Sequence, residues 1–162
     1  MFWNKQKKNK EEKPEIQLSW DDLQTNTNDL NLSEIYSKWP GMEKFKQIKP
    51  LFVTAFGEMI FVGDDLNVYQ IDVASLCLNK IEIKESEFKE YINNPETLKN
   101  VLMSWLVSQL KKRNLERKKG QVFAFVPHPI LGAEINSKSM MVLDLKVWIH
   151  ICTQLIDNGE KA

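Results

Sequence analysis

Between Leu51 and Ile83 the chain runs through four short segments rich in β-branched and aromatic residues, LFVTAF, MIFV, NVYQIDV and LNKIEI, punctuated by Gly57, by Gly63-Asp64-Asp65 and by Leu78-Asn79. This succession predicts an antiparallel meander. In NVYQIDV, Asn67, Tyr69, Ile71 and Val73 alternate with Val68, Gln70 and Asp72, so one face is mostly apolar and the other mostly polar. A half-buried sheet follows from that pattern, with helices needed over one side.

Helices are expected directly afterwards. One begins near Ser86 in SEFKEYI. A second begins at Asn94-Pro95-Glu96, where Asn suits the N-cap, Pro the first helical position and Glu the positive end of the helix dipole. Leu98, Val101, Leu102, Trp105, Leu106 and Leu110 trace an apolar stripe that predicts one central core helix ending at Lys111-Lys112-Arg113. Gly120 opens a strand, QVFAFV, and Pro127-His128-Pro129 with Gly132 forms an irregular connection to a second short strand, MMVLDL. A closing helix is expected from Asp144, as cap, to Gly159, with Leu145, Trp148, Ile149, Cys152, Leu155 and Ile156 on one face. The expected class is therefore α+β: an antiparallel sheet, a meander plus two later strands, packed against two main helices.

With 162 residues, 43% of them apolar, one core suffices without metal or disulfide. Residues 1–15 hold five Lys and three Glu with little to bury and predict a polar, disordered tail. Residues 16–50 predict a short helical N-terminal segment, with Ser19 capping WDDLQ and Ser33 capping EIYSKW before Pro40-Gly41. Residues 51–159 form the main domain. Cys77 and Cys152 lie in apolar stretches and read as small buried hydrophobes. The N-terminus is too polar for a signal peptide and no apolar run approaches a membrane span, so a cytoplasmic protein is expected, with no membrane partner.

The chemical inventory is thin. His128, between two prolines, and His150, about 140° from the apolar stripe of its helix, are the only histidines; a hydrogen-bonded loop residue and a solvent-facing one are expected. No C-x-x-C or H-E-x-x-H pattern supports a metal, and the glycines assemble no phosphate-binding loop. Ser104 and Ser108 lack a base at useful spacing and read as packing residues. The expectation is a protein without a catalytic site, cofactor or metal.

Charge is balanced overall, at 22 bases and 22 acids, but it is not evenly placed. Residues 57–96 carry nine acids against three lysines, and residues 97–120 carry seven bases against Glu116. An acidic patch can steer a basic partner such as a nuclease, and a basic run can meet nucleic acid. Both are also ordinary solvated faces. No aromatics interleave the basic run, so base stacking is unsupported and no nucleic-acid partner is expected.

From Gly57 onward the order of motifs resembles the C-terminal domain of bacterial immunity proteins that neutralise DNase effectors of the type VI secretion system. The matching stretches are the G-E-M-I-F-V opening, NVYQIDV with LNKI after it, EFKEYINNPETL, and above all GQVFAFVPHPILGAE followed by MMVLDLKVWIHICTQL. Ala133 stands where the family usually has a second glycine, and Ile16 to Pro50 is short for the distinct N-terminal domain that many members carry.

The resemblance implies stoichiometric inhibition, in which a folded monomer covers or distorts the active site of a cognate toxin in a 1:1 complex. Gly120, Pro127, Gly132, Asp144 and Trp148 have turn, cap and core explanations and read as fold markers. Exposed acids at Asp64, Asp65, Glu85, Glu87 and Glu90 are the expected partner interface. The alternative is an intracellular scaffold or regulatory module that binds a partner other than a toxin.

Overall fold

The computed structural model describes residues 16–160, so the expected tail at 1–15 lies outside the described residues. Four strands, β1 (Ile48–Val53), β2 (Met59–Gly63), β3 (Val68–Asp72) and β4 (Cys77–Ile81), form an antiparallel sheet in the order β1-β2-β3-β4. The meander is as expected, and the fold is α+β. Two later strands, β5 (Gln121–Phe125) and β6 (Met140–Asp144), pair with each other antiparallel as a second sheet. Six α-helices complete the described residues: α1 (Trp20–Leu23), α2 (Leu32–Ile35), α3 (Phe88–Asn93), α4 (Pro95–Asn100), α5 (Ser104–Lys112) and α6 (Leu145–Glu160).

Several local expectations need correction. Leu78-Asn79 does not break the meander: the turn is Val73–Leu76, and both residues sit inside β4, opposite Ile71 and Gln70. Nor is the sheet merely half-buried. Every residue of β2 is buried, so both faces of the sheet are covered at its centre. Phe61 and Tyr69 pack against Phe45 on one face, with ring centroids 5.3 and 4.8 Å away, while Ile60, Val62 and Val68 are buried on the other. β1 takes the edge position that Pro50, lacking an N–H, tolerates, and a bulge between Pro50 and Phe52 shifts its register.

The single core helix expected from Asn94 to Arg113 is two helices. Asn94 does cap the first, accepting from the Glu96 N–H at 2.9 Å, with Pro95 following. The chain then turns at Val101–Met103, where Met103 adopts the left-handed conformation (φ 45°) and Leu102 N–H bonds back five residues to Thr97 O at 3.0 Å. This break buries Leu102 and Met103, sets Leu106, Val107 and Leu110 of α5 into the core, and leaves Trp105 42% exposed. No Gly or Pro marks the site, so periodicity runs straight through it.

Asn31, not Ser33, caps α2, accepting from Glu34 N–H at 3.2 Å. Cys77 is exposed because it opens the edge strand β4; Cys152 is buried. In α6, Leu145, Trp148, Ile149 and Cys152 are fully buried, as the stripe implies. Asp144 accepts from the Gln121 side chain at 3.3 Å, across the strand pair, while the Leu145 N–H bonds to Gly120 O at 2.9 Å.

The two sheets meet through the β1–β2 connection, Thr54-Ala55-Phe56-Gly57-Glu58, which is buried throughout. A buried loop must find a partner for each peptide group. Within the loop, Thr54 N–H reaches Glu58 O, Gly57 N–H reaches Thr54 O, and the Thr54 hydroxyl accepts from the N–H groups of Phe56 and Glu58. The rest comes from elsewhere in the chain. Ala55 N–H donates to Leu23 O and Ala55 O accepts from Phe123 N–H, at 2.9 and 2.8 Å. Phe56 O accepts from Trp148 Nε1 at 3.0 Å, and Gly57 O from the Tyr36 hydroxyl at 2.7 Å. Phe56 also stacks on Phe125, with centroids 5.7 Å apart and planes 7° from parallel. Segments from both ends of the chain therefore converge on five residues.

Candidate partner-binding surfaces

The expected interface acids are all exposed, and most are engaged locally. Asp64 accepts from Lys46 N–H at 3.1 Å. Asp65 accepts from the Tyr69 hydroxyl at 2.6 Å and from both nitrogens of Asn67; the tyrosine bond first, then the Asn67 amide, hold its carboxyl at about 2. Glu85 pairs with Lys49 of β1, and Glu87 bonds back to Lys84 N–H at 2.7 Å. Glu90 lines a shallow concavity with Glu82, Glu87, Tyr91 and Glu96. The structure thus ties Asp64 and Glu85 to neighbouring residues at the start of β1, at the sheet end where β2 turns into β3. Glu87 and Glu90 gather separately beside α3.

The basic run resolves into different roles. Arg117 is half-buried, and its guanidinium donates to the carbonyls of Asp21, Asp22, Gln24 and Gln121 and to the Thr25 hydroxyl, at 3.0 to 3.2 Å. It also lies over the Phe123 ring, 4.8 Å from its centroid. Burial lowers its pKa to about 10, so it stays charged at neutral pH. This arginine fastens the N-terminal segment to β5. Lys111 pairs with Asp22, and Lys119 with Asp29. A polar cleft of about 480 Å³ opens beside Arg117, Lys118 and Lys119, with Asn26 and Asn28 opposite and Phe52 in its wall.

A partly buried polar row runs along one face of the meander, with Glu58 its buried member. Glu58 and Asp72 fall one residue beyond the Met59–Ile71 pair, on the face of Ile60 and Gln70, and Glu58 accepts from Gln70 Nε2 at 3.1 Å. Burial first, then the neighbouring Asp72 carboxyl to which it is hydrogen-bonded, raises the Glu58 pKa well above its ordinary value. Next along the chain, Val73 O accepts from His128 Nε2 at 2.7 Å, which fixes the proton on that nitrogen; Nδ1 then accepts from Ile130 N–H at 3.1 Å. Burial lowers the His128 pKa, keeping the ring neutral. With both ring nitrogens occupied and no serine or cysteine bonded to it, His128 is placed to hold its loop rather than to act as a base. His150 is exposed on α6, and no group of His, Cys, Asp and Glu suited to a metal occurs among the described residues.

The feature that sequence reasoning missed is the connection between β5 and β6. Val126, Ile130, Leu131 and Ile135 are 45, 56, 68 and 38% exposed, and Met141, just inside β6, is 44% exposed. The Val126–Pro127 peptide is cis. Val126 N–H donates to Ser139 O at 2.8 Å, Leu131 and Gly132 N–H close a 3-10 turn at Pro129–Leu131, and the Asn136 side chain accepts from Lys138 and Ser139 N–H. The available signal was the apolar pair Ile130-Leu131 inside a Pro- and Gly-marked connection, where turn residues are usually polar.

Residues 83–156 match the family model described as T6SS immunity protein Tdi1, C-terminal. Among curated proteins none matches. A solved structure described as Atu4351 from Agrobacterium tumefaciens is similar at 17% identity with a TM-score of 0.48; the match covers 75% of this chain and spans 62% of that one. No helix among the described residues is long and apolar enough to cross a membrane.

Proposed function

We propose that this chain is an immunity protein of the type VI secretion system that neutralises a toxin by direct, stoichiometric contact in the cytoplasm. The match of residues 83–156 to the immunity-protein family model carries this reading and supports an immunity role. Neutralisation by occupancy asks for complementary surface and no turnover, in keeping with the commitment of His128, Arg117 and Glu58 to structural hydrogen bonds. The finer assignment is to a nuclease toxin bound by a monomer in a 1:1 complex, without nucleic acid. A nuclease presents positive charge to the phosphate backbone, and exposed carboxylates at Asp64, Asp65, Glu85, Glu87 and Glu90 favour encounter with such a surface.

Co-expression of the chain with the toxin domain encoded beside it tests the proposal. Survival of the host together with a purified 1:1 complex is the expected result. Host death with no complex would overturn it. Survival without a complex would remove direct contact as the mechanism.

A further inference from the structure

Of the nine exposed large hydrophobic side chains among the described residues, five lie between Val126 and Met141. Single exposed apolar residues are ordinary, but a concentration in one connection marks an interaction surface. The register places Met141, and alternation places Val126, on the face of the β5–β6 pair opposite Phe123, Phe125 and Met140. Val122 and Ala124, on the face of Val126 and Met141, are buried, so the exposed apolar surface is confined to Val126, Met141 and the loop itself. Ile130 and Leu131 stand at the tip. Hydrogen bonds from His128, Ser139 and Asn136 define the loop's shape before any partner arrives, which lowers the ordering cost of binding.

The flank of this loop is basic. α5 ends beside it, Arg113 donates to Ser137 O, and Lys112 and Lys138 are exposed; Glu134 is the one acid between residues 126 and 141. Interface anchors are desolvated apolar groups, whereas exposed charges act chiefly on encounter rate. Asp64, Asp65 and Glu85 lie at the far end of the meander from Val73, whose carbonyl holds His128, and four of the five expected acids are engaged with their own neighbours.

We propose that the Val126–Ile135 loop anchors the toxin interface, seating Ile130 and Leu131 in an apolar surface of the toxin rimmed by carboxylates, with Lys112 and Lys138 facing that rim. This rests on the immunity reading, and the acids then contribute to steering alone. The test uses the inactivated toxin domain encoded beside this chain and measures association and dissociation rates with the full chain. Ile130→Asp and Leu131→Asp should each weaken binding about thirtyfold or more, through faster dissociation, with thermal unfolding unchanged. Lys112→Glu with Lys138→Glu should slow association at low salt and not at high salt. Leu66→Asp, in the β2–β3 turn, should do neither; if Leu131→Asp does not fold, Leu131→Ser takes its place. Loop variants that bind like wild type while wild type forms the complex would overturn the anchor and leave the immunity reading standing. Faster association of the glutamate variant would overturn the carboxylate rim. A wild-type chain that neither binds the toxin nor protects the cell would overturn both.

Discussion

Two connections in this molecule carry apolar side chains and treat them oppositely. Thr54–Glu58 is five residues long and wholly buried; the β5–β6 connection is longer and holds Ile130 and Leu131 out to solvent. Their peptide groups account for the difference. In the first, five backbone groups bond to residues remote in sequence: Leu23, Thr25, Tyr36, Phe123 and Trp148. In the second, most bonds close within the connection, at His128–Leu131, Pro129–Gly132 and Asn136–Ser139, with His128 tying it to the meander and Arg113, just past α5, donating to Ser137 O. A loop that borrows its hydrogen bonds from the core is bound into it. One that supplies its own is free to present side chains.

The comparison breaks most visibly at Trp148. Trp148→Ala removes a fully buried indole and leaves Phe56 O without its donor, so a loss of about 4 kcal/mol or more in urea unfolding is expected. A loss under about 1 kcal/mol would mean that the buried connection is not the centre of the fold. Gly57→Ala should cost about 2–3 kcal/mol in the same assay: Gly57 has φ 86°, and an added Cβ would meet Trp148 Cδ1 at 3.1 Å and Leu145 Cδ1 at 3.2 Å.

Glu58 sharpens the contrast through pH. Its folded pKa is raised, so its stabilising contribution is complete below the unfolded carboxyl value near 4.5 and is lost as pH climbs through the raised folded value. Glu58→Gln reproduces the protonated form. The stabilities of variant and wild type should differ least near pH 4 and diverge as pH rises above about 4.5, with the variant gaining relative to wild type, until the gap levels off above the raised folded value. Parallel curves across that range would show that the carboxyl is not buried in its protonated form. At the small end, Leu131→Asp should change stability by no more than about 0.5 kcal/mol, because the side chain is 68% exposed.

Much of the frame was legible because local signals and tertiary packing agree. Alternation located the meander strands, Asn94-Pro95 fixed a helix start, and the Leu145–Cys152 spacing gave the buried face of α6. What escaped has no local signature. Met103 turns left-handed without glycine or proline nearby, Cys77 is exposed because its strand is an edge, and Arg117 is half-buried although Lys118 and Lys119 beside it are exposed. The acids were visible as exposed charge, but their local bonding was not. The apolar loop between β5 and β6 read only as an irregular connection, because side chains left in solvent follow no period.

The Arg117 clamp also bears on the order in which the protein comes into being. Its guanidinium grips Thr25 and the carbonyls around it, 92 residues back along the chain. At ordinary rates of translation, the N-terminal segment emerges on the order of ten seconds before the group that fastens it. Until then Leu23 and Tyr36 have no β5 or α6 to meet, and a nascent chain stalled before Arg117 would carry this segment unlatched, open to proteases and chaperones alike.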